Sequence, residues 1–191
     1  MTDKTLNPWF AMLLGGALLL GGCASGVNGL PRMPSPQSSQ YALDAGDEVR
    51  ITAYGLEGFN NTYTVGDKGS ISLPLLGDVP ASGKTVGQLQ DDIAAALIGK
   101  QIVNAPNVNV QINQYRPFYV VGEVKKPGEY PFRPGMTVLT ALSVAGGYTF
   151  RAQTGKVAIT RHQGTTNVTG SADEKAMIQP GDTIRVYEGW F

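Results

Sequence analysis

The hydrophobic period changes twice along this chain, and the changes mark its elements. Val49, Ile51 and Ala53 alternate with Arg50, Thr52 and Tyr54, the period of two expected of a half-buried strand. Tyr63 and Val65, then Ile71 and Leu73, flank Gly66-Asp67-Lys68-Gly69, which predicts a hairpin with a glycine-rich turn. Pro74 ends the second of these strands because it has no ladder donor, and Leu76-Gly77-Asp78-Val79 predicts a turn and a short strand. The period then lengthens. Val86, Leu89, Ile93 and Leu97 share one helical face, with Thr85 as N-cap and Gly99 as the stop. Val108, Val110 and Ile112 return to strict alternation.

The same plan then recurs. Residues 119–124 read as a strand, and Lys126-Pro127-Gly128-Glu129-Tyr130 as a turn and a short strand. Residues 137–145 read as a helix stopped by Gly146-Gly147, Val157 and Ile159 mark another strand, and Ile184 and Val186 the last. Strands, one helix and a returning strand, twice over, predict an α+β fold of two small domains, 41–114 and 115–191.

Residues 24–40 have almost no apolar period and are rich in Ser, Pro and Gly, so residues 23–40 read as a flexible tether. Ahead of it, Trp9-Phe10-Ala11-Met12-Leu13-Leu14 opens an apolar run that reaches Leu20. The run is shorter than the roughly 20 residues a membrane-spanning helix needs. With Lys4 before it and small residues after it, residues 1–22 fit a secretory signal. Leu20-Gly21-Gly22-Cys23 is similar to a bacterial lipoprotein signal, which makes Cys23 the lipidation site. Two acyl chains already anchor a protein stably, at about 0.8 kcal/mol per buried CH₂. Ala24 stands next, and by the same resemblance a residue other than Asp there favours the outer membrane. Cys23 is the single cysteine, so no intrachain disulfide can form, and its conversion to a lipid thioether would remove thiol catalysis and thiolate metal sites as well.

Composition adds two limits. Fifteen basic and fifteen acidic residues balance, and with no basic patch or zinc spacing the chain is not read as a nucleic-acid binder. Twenty-five glycines suit short strands joined by tight turns.

Candidate chemistry is sparse. Leu43-Asp44-Ala45-Gly46-Asp47-Glu48-Val49-Arg50-Ile51 echoes Ile178-Gln179-Pro180-Gly181-Asp182-Thr183-Ile184-Arg185-Val186. Asp47 and Asp182 could serve as ligands for a cation or a sugar. The weightier reading is a turn in which Asp accepts local amide bonds. His162, the sole histidine, reads as a residue of a solvated loop. Asp91-Asp92 sits on a helix where neighbours diverge, and Asp173-Glu174 lies in a Gly/Ser/Ala-rich stretch, so neither reads as a glycosidase pair. Gly146-Gly147 could approach a phosphate but suffices as a helix stop. No metal, cofactor or catalytic residue is expected.

Taken in order, these segments resemble the periplasmic part of the outer-membrane polysaccharide export proteins, the Wza-like family. The first domain carries Tyr41…Gly46-Asp47…Ile51, then Gly69-Ser70-Ile71…Leu73-Pro74-Leu75-Leu76-Gly77, Gly83-Lys84-Thr85 and Asn104-Ala105-Pro106-Asn107-Val108. The second resembles the β-grasp-like SLBB module through Val121-Gly122-Glu123-Val124, Pro127-Gly128-Glu129-Tyr130, Ala145-Gly146-Gly147, Arg161 and Pro180-Gly181-Asp182-Thr183-Ile184. The resemblance implies a homo-oligomeric ring that conducts capsular polysaccharide or exopolysaccharide and is not an enzyme. It also implies an inner-membrane chain-length regulator of the copolymerase type as partner. After the last predicted strand only Glu188-Gly189-Trp190-Phe191 follow, so a short member without the family's membrane-spanning helix is expected, served by a separate outer-membrane β-barrel. Trp190 and Phe191 would dock on that partner, on lipid or on the second domain. The alternative, from a different class, is a periplasmic adaptor that binds a glycan or small ligand and forms no conduit.

Overall fold

The computed structural model describes residues 26–34, 41–163 and 166–189. The signal segment, Cys23, Trp190 and Phe191 lie outside the described residues.

The first module contains β1 (Glu48–Ala53), β2 (Asn61–Thr64), β3 (Ser70–Leu73), β4 (Gly77–Pro80), α1 (Val86–Gly99) and β5 (Val108–Gln114). An antiparallel sheet runs in the order β2-β1-β5, and β3 pairs with β4 in a separate two-stranded sheet. The hairpin expected across residues 66–69 therefore splits. Its turn closes, with Gly66 N–H donating to Ser70 O at 2.9 Å and Gly69 N–H to Gly66 O at 2.8 Å. On one side, Val65 N–H goes to Asp47 O at 2.8 Å and β2 zips to β1. On the other side, Ala81 and Ser82 both donate to Gly69 O at 2.8 Å, which draws β4 onto β3. One turn thus hands the chain from one sheet to the other.

Val49, Ile51, Ala53, Val108 and Val110 turn inward from the three-stranded sheet and meet Leu89, Ile93 and Leu97 of α1. Burying each of the larger side chains contributes about 1.5–3 kcal/mol. The N-terminus of α1 is a capping box: Thr85 Oγ1 accepts from Gln88 N at 3.2 Å, and Gln88 Oε1 accepts from Thr85 N at 2.9 Å. Its end differs from expectation. Gly99 is the last helical residue, and the left-handed position falls on Gln101, at φ 57°. Gln101 N–H donates to Ile98 O and Ile102 N–H to Leu97 O, so a Schellman closure forms without glycine.

The second module contains β6 (Phe118–Gly122), β7 (Gly128–Tyr130), α2 (Val138–Val144), β8 (Lys156–Gln163), β9 (Thr166–Asp173) and β10 (Thr183–Val186). They make one mixed sheet in the order β7-β6-β10-β8-β9, with only β6 and β10 parallel. Val138, Ala141, Leu142 and Ala145 of α2 and its C-cap close the core against Phe118, Val120, Val157, Ile159, Ile184 and Val186. β9 has no counterpart in the periodicity. Its inward row is Val168, Gly170 and Ala172, too small to print an apolar alternation.

Residues 26–34 correct the tether reading in part. Val27 and Met33 are buried, and Met33 joins the second core. Ser171 N–H donates to Pro31 O and Met33 N–H to Ser171 O, both at 2.7 Å, so Arg32 forms a parallel bridge with Ser171 on the outer edge of β9. Two buried apolar side chains and two edge hydrogen bonds offset the entropy of ordering this stretch.

Candidate functional site

The two halves of the internal echo fold into the same turn. Gly46 has φ 90° and Gly181 φ 80°, a region that a side chain disfavours. In each, the aspartate N–H returns to the carbonyl three residues before it, Asp47 to Asp44 at 3.1 Å and Asp182 to Gln179 at 3.2 Å. In each, the carboxylate accepts the N–H of that same residue, Asp44 N at 2.8 Å and Gln179 N at 2.7 Å. A strand follows directly, β1 or β10. The echo is thus turn-and-strand chemistry, the weightier of the two readings.

The remaining lone pairs are taken up differently. Asp182 is fully buried and accepts Arg161 in a two-pronged pair, Nε at 2.8 Å and an amino nitrogen at 2.7 Å. Arg161 is itself 4% exposed, so neither charge has an alternative partner in water. Asp47, also fully buried, accepts the Tyr41 hydroxyl at 2.6 Å and the Arg116 main-chain N–H at 3.0 Å. Burial first, and then this hydrogen bond to a carboxylate, hold the Tyr41 phenol far above its usual range. Neither aspartate keeps an oxygen turned toward solvent, so neither is placed to hold a cation or a sugar.

The other candidates stand apart from one another. His162 lies on β8, not on a loop; it is exposed, and its Nδ1 is 3.0 Å from Asn167 Oδ1 on the paired strand. Asp92 pairs with Lys84 at 2.5 Å. Asp173 takes Arg32 at 3.3 Å, while Glu174 accepts the Tyr148 hydroxyl at 2.8 Å. Gly146 and Gly147 complete the stop of α2: Gly147 N–H donates to Leu142 O at 2.8 Å and Gly146 N–H to Ser143 O at 3.1 Å. Among the described residues, no three His, Cys, Asp or Glu side chains gather in a metal-binding arrangement. No described helix is long and apolar enough to cross a membrane.

Gly122 is the residue whose role the sequence left unstated. A Cβ there would lie 2.0 Å from Val186 O, across the parallel pair of β6 and β10. The Val121-Gly122-Glu123 signature therefore marks a close backbone approach. A cleft of about 380 Å³ lies between residues 27–32 and the β8–β9 edge, with Arg32, Lys156 and Asp173 on its walls.

The fold and its paired turns define a tandem α+β protein whose second module is β-grasp-like. The family described as "Polysaccharide biosynthesis/export protein" matches residues 35–113, and the SLBB domain matches residues 117–171. The chain belongs to this polysaccharide export family and carries an SLBB domain as its second module. It is 39% identical over 144 residues to the "Exopolysaccharide production protein ExoF" of Rhizobium meliloti (strain 1021), which covers 69% of this chain and 32% of that protein. It is 35% identical over 104 residues to the "EPS I polysaccharide export outer membrane protein EpsA" of Ralstonia solanacearum, 50% of this chain and 27% of the relative. Over 113 residues it is 34% identical to the "Polysialic acid transport protein KpsD" of Escherichia coli, 56% of this chain and 19% of that one. The matched region thus spans about a third of these relatives' length, or less.

Proposed function

We propose that this chain is a subunit of a periplasmic ring in a polysaccharide export translocon, held to the outer membrane by lipid on Cys23. The ring conducts capsular polysaccharide or exopolysaccharide outward and changes no bond in it. An inner-membrane chain-length regulator feeds it, and an outer-membrane β-barrel completes the path. The observation that carries this reading is the order of the two modules in this chain, an export domain followed by an SLBB domain, together with its similarity to relatives whose names describe export and transport. Ring closure requires a head-to-tail interface between identical copies.

A clean deletion should abolish surface polysaccharide while precursor synthesis continues; normal surface glycan in that strain would overturn the proposal. Cys23→Ser should abolish acyl incorporation and release the chain from the membrane fraction. A second reading is an adaptor that binds a glycan or small ligand, and the cleft beside Arg32 and Lys156 favours it. The mass of the detergent-solubilised lipoprotein separates the two: a stable high-order particle supports the ring, and a monomer that retains oligosaccharide supports the adaptor.

A further inference from the structure

The two echo turns come together, and one side chain lies between them. Residues 115–117 join β5 of the first module to β6 of the second. From this link the Arg116 guanidinium pairs with Asp44, the first residue of the Asp47 turn, while its Nε donates to Pro180 O in the Asp182 turn at 3.3 Å. Its main-chain N–H is the one held by the Asp47 carboxylate. Gly181 N–H returns to Pro117 O at 2.9 Å. Both turn glycines face the arginine. A Cβ on Gly46 would stand 3.7 Å from Arg116 Cβ, and one on Gly181 only 2.9 Å from Arg116 Nε.

An aromatic chain crosses the same junction. The Tyr41 ring packs edge-on against Tyr115 at 5.2 Å, and Tyr115 against Phe132 of the second module at 5.4 Å. Asp44 reports the charge balance. Burial pushes its carboxyl up, but the Arg116 guanidinium, with Ala45 N–H and the Ser82 hydroxyl, more than offsets this and holds it below the usual carboxylate range.

We infer that the repeated Gly-Asp turns are the two jaws of an interdomain lock, with Arg116 as its pin. Small modules joined by a three-residue link would otherwise be free to reorient, since interfaces between domains of one chain are commonly small and polar. Here the pin donates to acceptors on both sides at once. Gly181 is needed because φ 80° disfavours a side chain, and a Cβ there would also crowd the guanidinium. The lock fixes the angle between modules irrespective of the export reading, and it makes the chain one mechanical unit.

The test uses the detergent-solubilised full chain. Chymotrypsin cleavage after Tyr115 reports opening of the link, and calorimetry reports whether the modules unfold together. The wild type should resist cleavage there and unfold in one transition. Arg116→Ala should split the transition and raise the cleavage rate by about tenfold or more, the factor expected from losing one charge-assisted hydrogen bond. Gly181→Ala, which keeps both charged residues but crowds the pin and strains a backbone at φ 80°, should do the same and serves if Arg116→Ala fails to fold. Arg116→Lys should fall between them and the wild type. Two transitions in the wild type, or a wild-type cleavage rate and a single transition in both Arg116→Ala and Gly181→Ala, would overturn the lock.

Discussion

Gln101 sits at φ 57° because the Schellman closure of α1 requires a left-handed residue there. A side chain in that region costs about 1–2 kcal/mol, of which the flexibility of glycine would return about 0.5–1. Gln101→Gly should therefore stabilise the first module by about 0.5–1 kcal/mol in urea melts, with an unchanged m-value. Gly122 is the opposite case. It has φ 91°, and Val186 O occupies the place of a β-carbon. Gly122→Ala should cost on the order of 3 kcal/mol or more, since strain and a backbone clash fall on the same atom. Circular dichroism melts of the variant would check this.

Among the elements, β9 is an edge strand of eight residues, and residues 26–34 cover part of its outer edge. Gly170 makes the cover possible: a β-carbon there would press on Met33 Cα at 2.8 Å and Pro31 O at 3.0 Å. Gly170→Val should lift the segment. Faster amide hydrogen exchange at Met33 and Ser171, with protection in α2 retained, is the expected signature, and unchanged exchange at both would refute the assignment. Much of the element layout was legible beforehand, because α1, β1 and β5 carry large apolar side chains at their helical or strand period. β9 was hidden because its inward positions are filled by Gly and Ala. Residues 26–34 were hidden because one bridge and two buried side chains leave no period to read.

At the scale of the molecule, titration should weaken the fold at both ends of the pH range. The Asp44 carboxyl is held low, so its contribution is complete above the ordinary carboxylate pKa and is lost as pH falls through its depressed value. Asp44→Asn should remove that part of the acid limb from a plot of stability against pH. Burial, followed by the Glu174 carboxylate that accepts its proton, pushes the Tyr148 phenol up to about 12. Its contribution is whole below pH 10 and fades as pH climbs toward 12, so Tyr148→Phe should flatten the alkaline limb. Chemical denaturation from pH 2 to 12 would register both.

The amino-acid order alone determined the α+β class, the two-module plan and the turn character of Asp47 and Asp182, because strand period, helix period and Gly-Asp turns are local properties. It also supported the family resemblance, which rests on short motifs in series. Only the tertiary structure decided which strands pair, that residues 26–34 cap an edge, and that Arg161 closes one turn while Tyr41 and Arg116 close the other. Arg116 lies 69 residues from Asp47 and Arg161 lies 21 from Asp182, and nothing in a local pattern encodes which distant donor a buried carboxylate will meet.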